Sequence, residues 1–455
     1  MIFANSLPKI KEFLRPARLI SSTQGLLVRL ISAFLYHPGD MSASCAAASI
    51  RTVARHRAAM VRFLARLNWS RDWATLTAVA ELLLRMEIAR GGTWYFLVDQ
   101  TYIGQQGQHT ENTFSRANYR KRAKKSNRKQ KKHAKRSCHG FVCGLLLTPG
   151  GLRIPCCRSY YTEDYCKAKC FSYKTQIVLA ADLIRALAVP EGAKVVVLGD
   201  TAFESKDIRQ ACRERNFGWV VPINPERVLA GATAQDRPKV TSLTSGLTAA
   251  NFEAVRLVPG EGADALQRRA ARCRCGPKAK SRTFWVHAEK REVHNVGEVQ
   301  LVFSTKEQPQ SGQQVSVQKV LMTNQMDWSA IEVVRAYTVR WQIELFFKEL
   351  KSTLGLDRYR FRQFVKVENW VQACLVTFVY LEWYRALQLG RVDLNEAERK
   401  RWRSQRSYGI GRALMQRAEE ADLEQLYRWS ASKSGQRKLR KALRESLPLE
   451  YRNAS

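Results

Sequence analysis

Three acidic residues have the types and settings that could do metal-assisted chemistry. Asp99 and Asp200 each end an apolar run, WYFLVD and KVVVLGD, and Glu344 lies within YTVRWQIELFFKELK. Carboxylates at strand ends can project from a rigid base toward one ligand, and Mg²⁺ prefers such hard oxygen ligands. A chain with 40 acidic residues offers many triples of this kind, so the local context must decide.

The segment around Glu344 places a polar set at helical spacing. Tyr337, Arg340, Glu344 and Lys351 are three, four and seven residues apart, which puts them within an arc of roughly 60° on one helix. A separate apolar face contains Val339, Ile343, Phe346 and Leu350. Arg340 can fork onto phosphate oxygens, and Lys351 can supply a point charge. The alternative is an ordinary surface ion pair between Arg340 and Glu344.

The elements that must position these residues alternate between strands and helices. Strands are predicted to end at Asp99 and Asp200, and a hairpin is predicted around Pro149-Gly150-Gly151. A helix over 174–188 lies between them, and GWVVPIN after Asp200 predicts a further strand. A long helix over 329–354 and an apolar helix over 367–387 follow.

The remaining segments are helical or β-rich. Residues 10–90 have apolar residues at three- and four-residue spacing between arginines, which fits a helix-turn-helix over 42–67 or an ordinary basic helical bundle. RTFWVHAEK, EVQLVFSTK and QKVLMTNQ predict a mostly β insertion over 225–325. The tail beyond Asp393 is helical and charged.

The charge of the chain calls for a polyanionic partner. A formal net charge of +36 favours nucleic acid, and the longest apolar stretch, Ala373 to Leu381, is far too short to span a membrane. Twelve of the 21 residues from Arg116 to Arg136 are Lys or Arg, which predicts a loop or arm that contacts DNA. The basic candidates in this loop are Lys124, Lys125, Arg128, Lys131 and Lys132.

The N-terminal sequence and the cysteines predict an intracellular protein. MIFANSLPKIKEF lacks the order of a secretory signal, and eleven scattered cysteines fit a reducing cytosol. Zinc ligation is the alternative use of some of these cysteines, although C-x-C is not the usual zinc-knuckle spacing. The candidate zinc ligands are Cys273, Cys275, His287 and His294.

These motifs resemble those of the bacterial insertion-sequence DDE transposases of the IS-four type. The set Tyr337, Arg340, Glu344 and Lys351 matches the family's Tyr-Arg-Glu-Lys signature at all four positions, and DTAF from Asp200 and FLVDQT around Asp99 resemble its two aspartate motifs. The matched region runs from about 94 to 360.

The resemblance implies an α/β fold with a ribonuclease H-like catalytic core, a β-rich insertion, and helical N-terminal and C-terminal regions. We therefore expect a helical DNA-binding domain over 1–92 and the first part of the core over 93–224, with a basic loop over 100–136. The insertion then covers 225–325, the glutamate helix of the core 326–362, and a helical C-terminal region 363–455.

The resemblance also implies roles for individual residues. Asp99, Asp200 and Glu344 would be the catalytic triad and would bind two Mg²⁺ or Mn²⁺ ions, while Tyr337, Arg340 and Lys351 would hold the DNA backbone. Relatives stack a flipped base on an insertion-domain tryptophan, for which Trp285 is the nearest candidate; a packed strand residue is the alternative.

The expected function is cut-and-paste transposition. The enzyme would bind the terminal inverted repeats of an insertion sequence, cleave them through a hairpin intermediate and join them to target DNA. It would act as a homodimer on double-stranded DNA in the bacterial cytoplasm, associated with the nucleoid. The alternatives are a catalytically silent DNA-binding protein derived from a transposase and a structure-selective nuclease on the same fold.

Overall fold

A mixed β-sheet organises the part of the chain that the computed structural model describes. The described residues are 6–17, 19–36, 56–66, 92–105, 109–116, 136–231, 237–258, 281–389, 395–399, 427 and 429–446. The basic candidates Lys124, Lys125, Arg128, Lys131 and Lys132 lie outside these ranges, as do Cys273, Cys275 and most of the predicted helix-turn-helix.

Ten strands, counted over the described ranges, form the sheet. They are β1 Thr93–Gly104, β2 Phe114–Arg116, β3 Arg136–Leu147, β4 Arg153–Tyr160, β5 Lys194–Leu198, β6 Gly218–Pro222, β7 Glu253–Leu257, β8 Arg282–Val293, β9 Gly297–Thr305 and β10 Lys319–Thr323. Their order is β2-β3-β1-β5-β6-β10-β9-β8-β7, with β4 also paired to β3. Strands β1, β5 and β6 are parallel, whereas β1, β3 and β4 pair antiparallel.

Helices flank the sheet. They are α1 Ser6–Leu14, α2 Ser21–Tyr36, α3 His56–Arg66, α4 Glu163–Lys169, α5 Gln176–Arg185, α6 Lys206–Glu214, α7 Val240–Ser245, α8 Ala330–Val339, α9 Trp341–Ser352, α10 Phe364–Leu389 and α11 Lys433–Ser446. Three antiparallel strands followed by two parallel ones, with helices around them, confirm the predicted α/β class with a ribonuclease H-like core.

The hairpin predicted at Pro149-Gly150-Gly151 joins β3 and β4. The turn closes through Leu152 N, which donates to Thr148 Oγ1 at 3.0 Å, and Gly151 has a φ of 88° that favours glycine. Further along the hairpin, a Cβ on Gly144 would clash with the Phe96 ring. Strands β1 and β3 can therefore pack closely only with glycine at this position.

The predicted long helix over 329–354 is wrong in one respect, because it is two helices that meet at Arg340. A capping box between Ser329 and Glu332 starts α8. At the junction Arg340 N donates to Tyr337 O and Ile343 N donates to Arg340 O, both at 3.1 Å and both three residues apart. Arg340 itself keeps right-handed helical backbone angles, so the break is a single tightened turn.

The strands of the predicted insertion segment continue the core sheet. Strand β10 pairs antiparallel with β6 of the core on one side and with β9 on the other. Strands β8 and β7 extend the same sheet outward. The β-rich segment is thus joined to the core edge to edge, and α8 leads from it back to the core.

Helix α10 is the apolar helix predicted near 367–387. The N-terminal helices pack on it: the rings of Phe13 and Tyr380 are 5.3 Å apart, and those of Phe34 and Trp370 are 4.9 Å apart. Asn369 Nδ2 on α10 also donates to Leu64 O on α3 at 2.6 Å. Across the described ranges, no helix has the length and apolar character needed to cross a membrane.

Candidate active site

Asp99 and Asp200 lie side by side just beyond the point where the parallel pairing of β1 and β5 ends. The prediction that the first strand ends at Asp99 is wrong, because β1 continues to Gly104, within the segment predicted as a loop over 100–136, and pairs there with β3. Strands β1 and β5 run parallel with Leu97 opposite Leu198, and each aspartate follows its leucine by two residues. Since neighbouring strands are about 4.8 Å apart, this register alone brings the two carboxylates to one edge. The two apolar runs fold this way because both strands are buried inside the sheet.

The chain turns sharply at Asp200. Asp200 Oδ1 accepts a hydrogen bond from Ala202 N at 2.9 Å and so caps the short 3₁₀ turn Thr201–Phe203. A Cβ on the preceding Gly199 would lie 2.9 Å from Phe203 Cβ. Glycine at 199 therefore lets the turn fold back against the strand, and the cap orients the carboxylate.

Arg340 connects the third acid to the first. Its Nη2 donates to Glu344 Oε1 at 2.7 Å, and its Nη1 donates to Asp99 Oδ2 at 3.4 Å. The side chains of Asp99 and Arg340 are only 15% and 14% exposed, whereas that of Glu344 is 35% exposed. The helix junction thus aims a guanidinium between two carboxylates from distant parts of the chain.

The electrostatics of Asp99 reflect the other two acids. The pKa of Asp99 is raised to about 6, mainly by burial and then by the negative charges of Asp200 and Glu344. The Gln100 backbone N–H and Arg340 act in the opposite direction and lower it. Ionised Asp99 is therefore disfavoured in this pocket unless a cation balances it.

Arg340 is surrounded by the same charges. Burial alone would lower its pKa, but Tyr337, Asp99, Glu344 and Asp200 outweigh burial and raise it. Its Nε is buried and makes no hydrogen bond within the described part of the molecule. The guanidinium is thus held by charge, without a full set of hydrogen-bond partners.

The three carboxylates are chemically suited to bind a hard divalent cation, but they are not arranged around a single ion position. Three carboxylates around one positive group are the ligand type that Mg²⁺ and Mn²⁺ take. Among the described residues, however, no three His, Cys, Asp or Glu side chains stand close enough together to hold one ion. Arg340 contacts Asp99 and Glu344 directly, so a cation between these two carboxylates would have to replace it.

Tyr337 and Lys351 lie on either side of this centre. Tyr337 is buried, with Lys319 Nζ 4.8 Å and Arg340 Cζ 6.0 Å from its ring centre. Lys351 Nζ donates to Tyr102 O at 3.3 Å, three residues beyond Asp99 on β1. Burial lowers the pKa of Lys351 despite the opposing charge of Asp357.

The apolar face predicted for the glutamate helix is confirmed. Its four residues, Val339, Ile343, Phe346 and Leu350, are fully buried. The polar row is less uniform, because Tyr337 is buried whereas the side chain of Glu344 is 35% exposed.

A cavity of about 260 Å³ opens beside Tyr337. Its lining includes Phe284 from β8, Lys319 from β10 and the hydroxyl-bearing residues Ser304 and Thr305 from β9. Trp285 is the next residue after Phe284, and successive side chains of a strand point to opposite faces. Trp285 is therefore on the other face of β8, and Phe284 is the insertion aromatic at this cavity.

Sequence reasoning overlooked a strip of arginines beyond α9. In the extended stretch Arg358 to Arg362, every second residue is an exposed arginine. Between them Tyr359 is fully buried and its hydroxyl bonds His139 Nδ1 at 2.8 Å. An alternation of arginine with aromatic residues in RYRFR was the signal that could have revealed the strip.

Cys143 was also overlooked. It is the direct partner of Asp99 across β1 and β3, so both side chains are on one face. Its Sγ lies 3.4 Å from Cys157 Sγ on β4, and this contact together with burial raises its pKa well above the ordinary value. Cys143 is therefore a neutral thiol under the acidic centre.

The mixed sheet with its flanking helices is the fold of the ribonuclease H-like class. The family model described as "Transposase DDE domain" matches residues 90–380. The chain belongs to this family, whose members use divalent metal ions, and it carries a transposase catalytic domain. No curated protein matches the sequence significantly.

Proposed function

We propose that this protein is a cut-and-paste DNA transposase of the IS-four type that binds the terminal inverted repeats of an insertion sequence. The observation that carries the proposal is the position of Arg340 within the DDE transposase domain, where its guanidinium contacts both Asp99 and Glu344. Both partners of the reaction are double-stranded DNA: the element ends and the target.

Asp99, Asp200 and Glu344 would hold two Mg²⁺ or Mn²⁺ ions. When bound, such ions lower the pKa of a water or a 3′-hydroxyl and stabilise the leaving oxygen. Support comes from the setting of Asp99: burial first, and then the negative charges of Asp200 and Glu344, raise its pKa, and a bound cation would favour its ionised form. The donor chemistry is therefore suited to these ions once Arg340 leaves the carboxylates.

Arg340 would exchange its carboxylate partners for DNA phosphate. A guanidinium that is paired with two acids is repelled when cations take those acids, and its planar fork matches phosphate oxygens. Tyr337 and Lys351, on either side, would hold the same backbone near the cleaved bond. The buried Nε of Arg340, which has no bond among the described residues, is consistent with a partner still to come.

The reaction would then follow the family's sequence of steps. Water would break a phosphodiester bond at the element end and release a 3′-hydroxyl. This hydroxyl would attack a phosphodiester bond of the opposite strand, which closes the element end as a hairpin and releases the 3′-hydroxyl of the flanking DNA. A second water would reopen the hairpin, and the regenerated 3′-hydroxyl would attack a phosphodiester bond of the target and release a target 3′-hydroxyl. A dimer would hold the two ends together, and the basic loop over 100–136 and the N-terminal helical region would supply further DNA contacts.

A strand-transfer assay on DNA with the element's own terminal repeats tests the proposal. We expect Mg²⁺-dependent cleavage at the repeat, a hairpin intermediate and covalent joining to a target plasmid. Binding to the repeats without any cleavage would instead indicate a silent DNA-binding protein. Cleavage of repeat and scrambled DNA alike, without joining, would indicate a structure-selective nuclease.

A further inference from the structure

Four charged side chains are buried together away from the three acids. They are Arg153 on β4, Glu349 on α9, and Glu382 and Arg385 on α10. Their exposures are 1%, 7%, 0% and 2% in that order. Two positive and two negative charges make this buried charge cluster neutral overall.

Arg153 holds both glutamates at once. Its Nη1 and Nη2 donate to the two oxygens of Glu349, each at 3.1 Å. Its Nε and Nη2 donate to Glu382 Oε1 at 3.2 and 2.9 Å, and its backbone N donates to Glu382 Oε2 at 3.1 Å. Because the guanidinium is planar and rigid, these contacts fix α9 and α10 relative to strand β4.

Arg385 completes the buried charge cluster. It bonds Glu382 one turn earlier on α10 and donates to Gly151 O in the β3–β4 turn at 2.9 Å. The Arg153 guanidinium also lies over the Phe378 ring, 4.8 Å from its centre. Helix α10 is therefore tied to the β3–β4 turn at Gly151 and to the first residue of β4, Arg153.

Stability does not account for this arrangement. Removing a charge from water costs several kcal/mol, and apolar side chains of similar volume often give equal or greater stability than a buried ion pair. Apolar packing, however, is not directional and tolerates shifts that a forked ion pair does not. What the buried charge cluster adds is a defined position for the elements that it joins.

The buried charge cluster fixes the position of α9, the helix that carries Glu344. Glu349 follows Glu344 by five residues, about 7.5 Å along α9, and precedes Lys351 by two. Arg153 pairs with Leu147 on β3, the strand whose Cys143 pairs with Asp99. Arg340, at the start of α9, directs its side chain to the acids instead of capping the helix.

We infer that Arg153 and Glu349 are positioning residues that set the register of Glu344 against Asp99, so that the acids can share divalent cations. This inference rests on the proposed function. It assigns a role to the far end of the glutamate helix, outside the Tyr-Arg-Glu-Lys set.

A variant that removes all four charges tests this inference. Full-length protein with Arg153→Met, Glu349→Leu, Glu382→Leu and Arg385→Met keeps the volume and the neutrality of the buried charge cluster. Mn²⁺ alone is the probe, with binding followed by electron paramagnetic resonance. Thermal unfolding, affinity for terminal-repeat DNA, and kcat and KM for cleavage are measured on the same samples.

A matched control removes an ion pair that does not touch α9. Arg185 on α5 bonds Glu214 on α6 at 2.6 Å near the surface. The variant Arg185→Met with Glu214→Leu should leave Mn²⁺ affinity and cleavage unchanged. A second test variant, Glu349→Gln with Arg385→Met, keeps Arg153 and Glu382 as a neutral pair and covers the case in which the fourfold variant does not fold.

We expect the fourfold variant to unfold at or above the wild-type temperature. Its Mn²⁺ affinity and kcat should fall by about 10-fold or more, as for other residues that orient metal ligands, while KM for DNA stays within about twofold. The double variant should change in the same direction. A folded variant with wild-type Mn²⁺ affinity and kcat would overturn the inference and leave the proposed function intact.

Failure of the proposed function has a different signature. The wild-type protein would then neither bind Mn²⁺ through Asp99, Asp200 and Glu344 nor cut terminal-repeat DNA. That result would remove the positioning role together with the reaction that it serves.

Discussion

The Arg340 guanidinium lies 3.4 Å from the carboxylate of Asp99, although 241 residues separate them in the chain. The same guanidinium is 2.7 Å from Glu344. A positive side chain therefore occupies the space between two acids that we propose as metal ligands. Because this cluster of charges is crowded and partly buried, it should affect stability as well as chemistry.

Replacing Asp99 with Asn should stabilise the metal-free protein above pH 6. The folded-state pKa of about 6 is higher than the ordinary value of 3.8, so ionised Asp99 destabilises the fold. This penalty is absent below about pH 4, grows as the pH rises to about 6, and is then constant at roughly 1–3 kcal/mol.

The measurement is the free energy of unfolding of wild type and Asp99→Asn at pH 4 and pH 8, with a chelator present. Glu289→Gln, at a half-buried carboxylate that is paired with Arg291 and His287, serves as a control that should not gain stability at pH 8. Equal stability of Asp99→Asn and wild type at pH 8 would mean that burial and the two neighbouring acids do not destabilise ionised Asp99.

Much of this centre was predictable from the sequence because its parts are local. The apolar runs before Asp99 and Asp200 predict buried strands, and the helical spacing around Glu344 predicts a buried face that is confirmed at Phe346 and Leu350. Each of these inferences uses only the periodicity of neighbouring residues.

What the sequence did not reveal depends on contacts between distant segments. Arg340, where α8 and α9 meet, contacts Asp99 on another element, whereas a propensity scale treats both flanking stretches as one helix. Arg153 looks in RIPCCRSYY like an ordinary strand residue, since its two partners are about 200 residues away. The cavity beside Tyr337 depends on which face of β8 turns inward.

Phe284 should matter more than Trp285 for handling the end of the DNA. Phe284 lines the cavity beside Tyr337, whereas Trp285 points to the opposite face of β8. If a base displaced from the element end enters this cavity, Phe284→Ala should lower the rate of hairpin formation by about 10-fold, because one base–aromatic stack is removed.

The comparison is made on matched substrates with a base or an abasic position at the displaced nucleotide. Trp285→Ala should behave like wild type on both. The reverse result, with Trp285→Ala defective and Phe284→Ala normal, would support the tryptophan named from the family resemblance and exclude Phe284.

Neutralising the basic loop should weaken DNA binding without affecting the chemistry. Changing Lys124, Lys125, Arg128, Lys131 and Lys132 to Gln removes positive charges that we expect to pair with phosphates. The slope of log affinity against log salt should then become shallower by about 0.9 for each phosphate that is no longer neutralised. Binding to labelled terminal-repeat DNA across a salt series measures this slope.

Five exposed basic residues elsewhere provide the comparison for net charge. They are Lys194, Lys206, Arg213, Lys239 and Lys290. Their replacement by Gln lowers the net charge equally but should change the slope less. Identical slopes for the two variants would mean that the basic loop makes no specific contact with DNA.

The exposed arginine strip after α9 should contact the DNA backbone. Alternate residues of an extended segment are about 6.6 Å apart, which suits successive phosphates along a strand. Replacing Arg358, Arg360 and Arg362 with Gln should reduce affinity for terminal-repeat DNA by about 10-fold or more at physiological salt. Thermal stability should not change, because Tyr359 remains in place.

Ethylation interference would identify the phosphates that the arginine strip contacts. We expect interference by ethylated phosphates close to the cleaved bond to disappear in the triple variant. Loss of interference only at phosphates far from that bond would mean that the strip contacts DNA away from the active site.

Cleavage by single variants of the three acids tests the metal-binding assignment most directly. Asp99→Asn, Asp200→Asn and Glu344→Gln are each assayed on terminal-repeat DNA in Mg²⁺ and in Mn²⁺, alongside end binding. We expect each variant to bind the ends and none to cut them. Cleavage at the wild-type rate by any one of the three would contradict the assignment of these acids as the metal-binding centre.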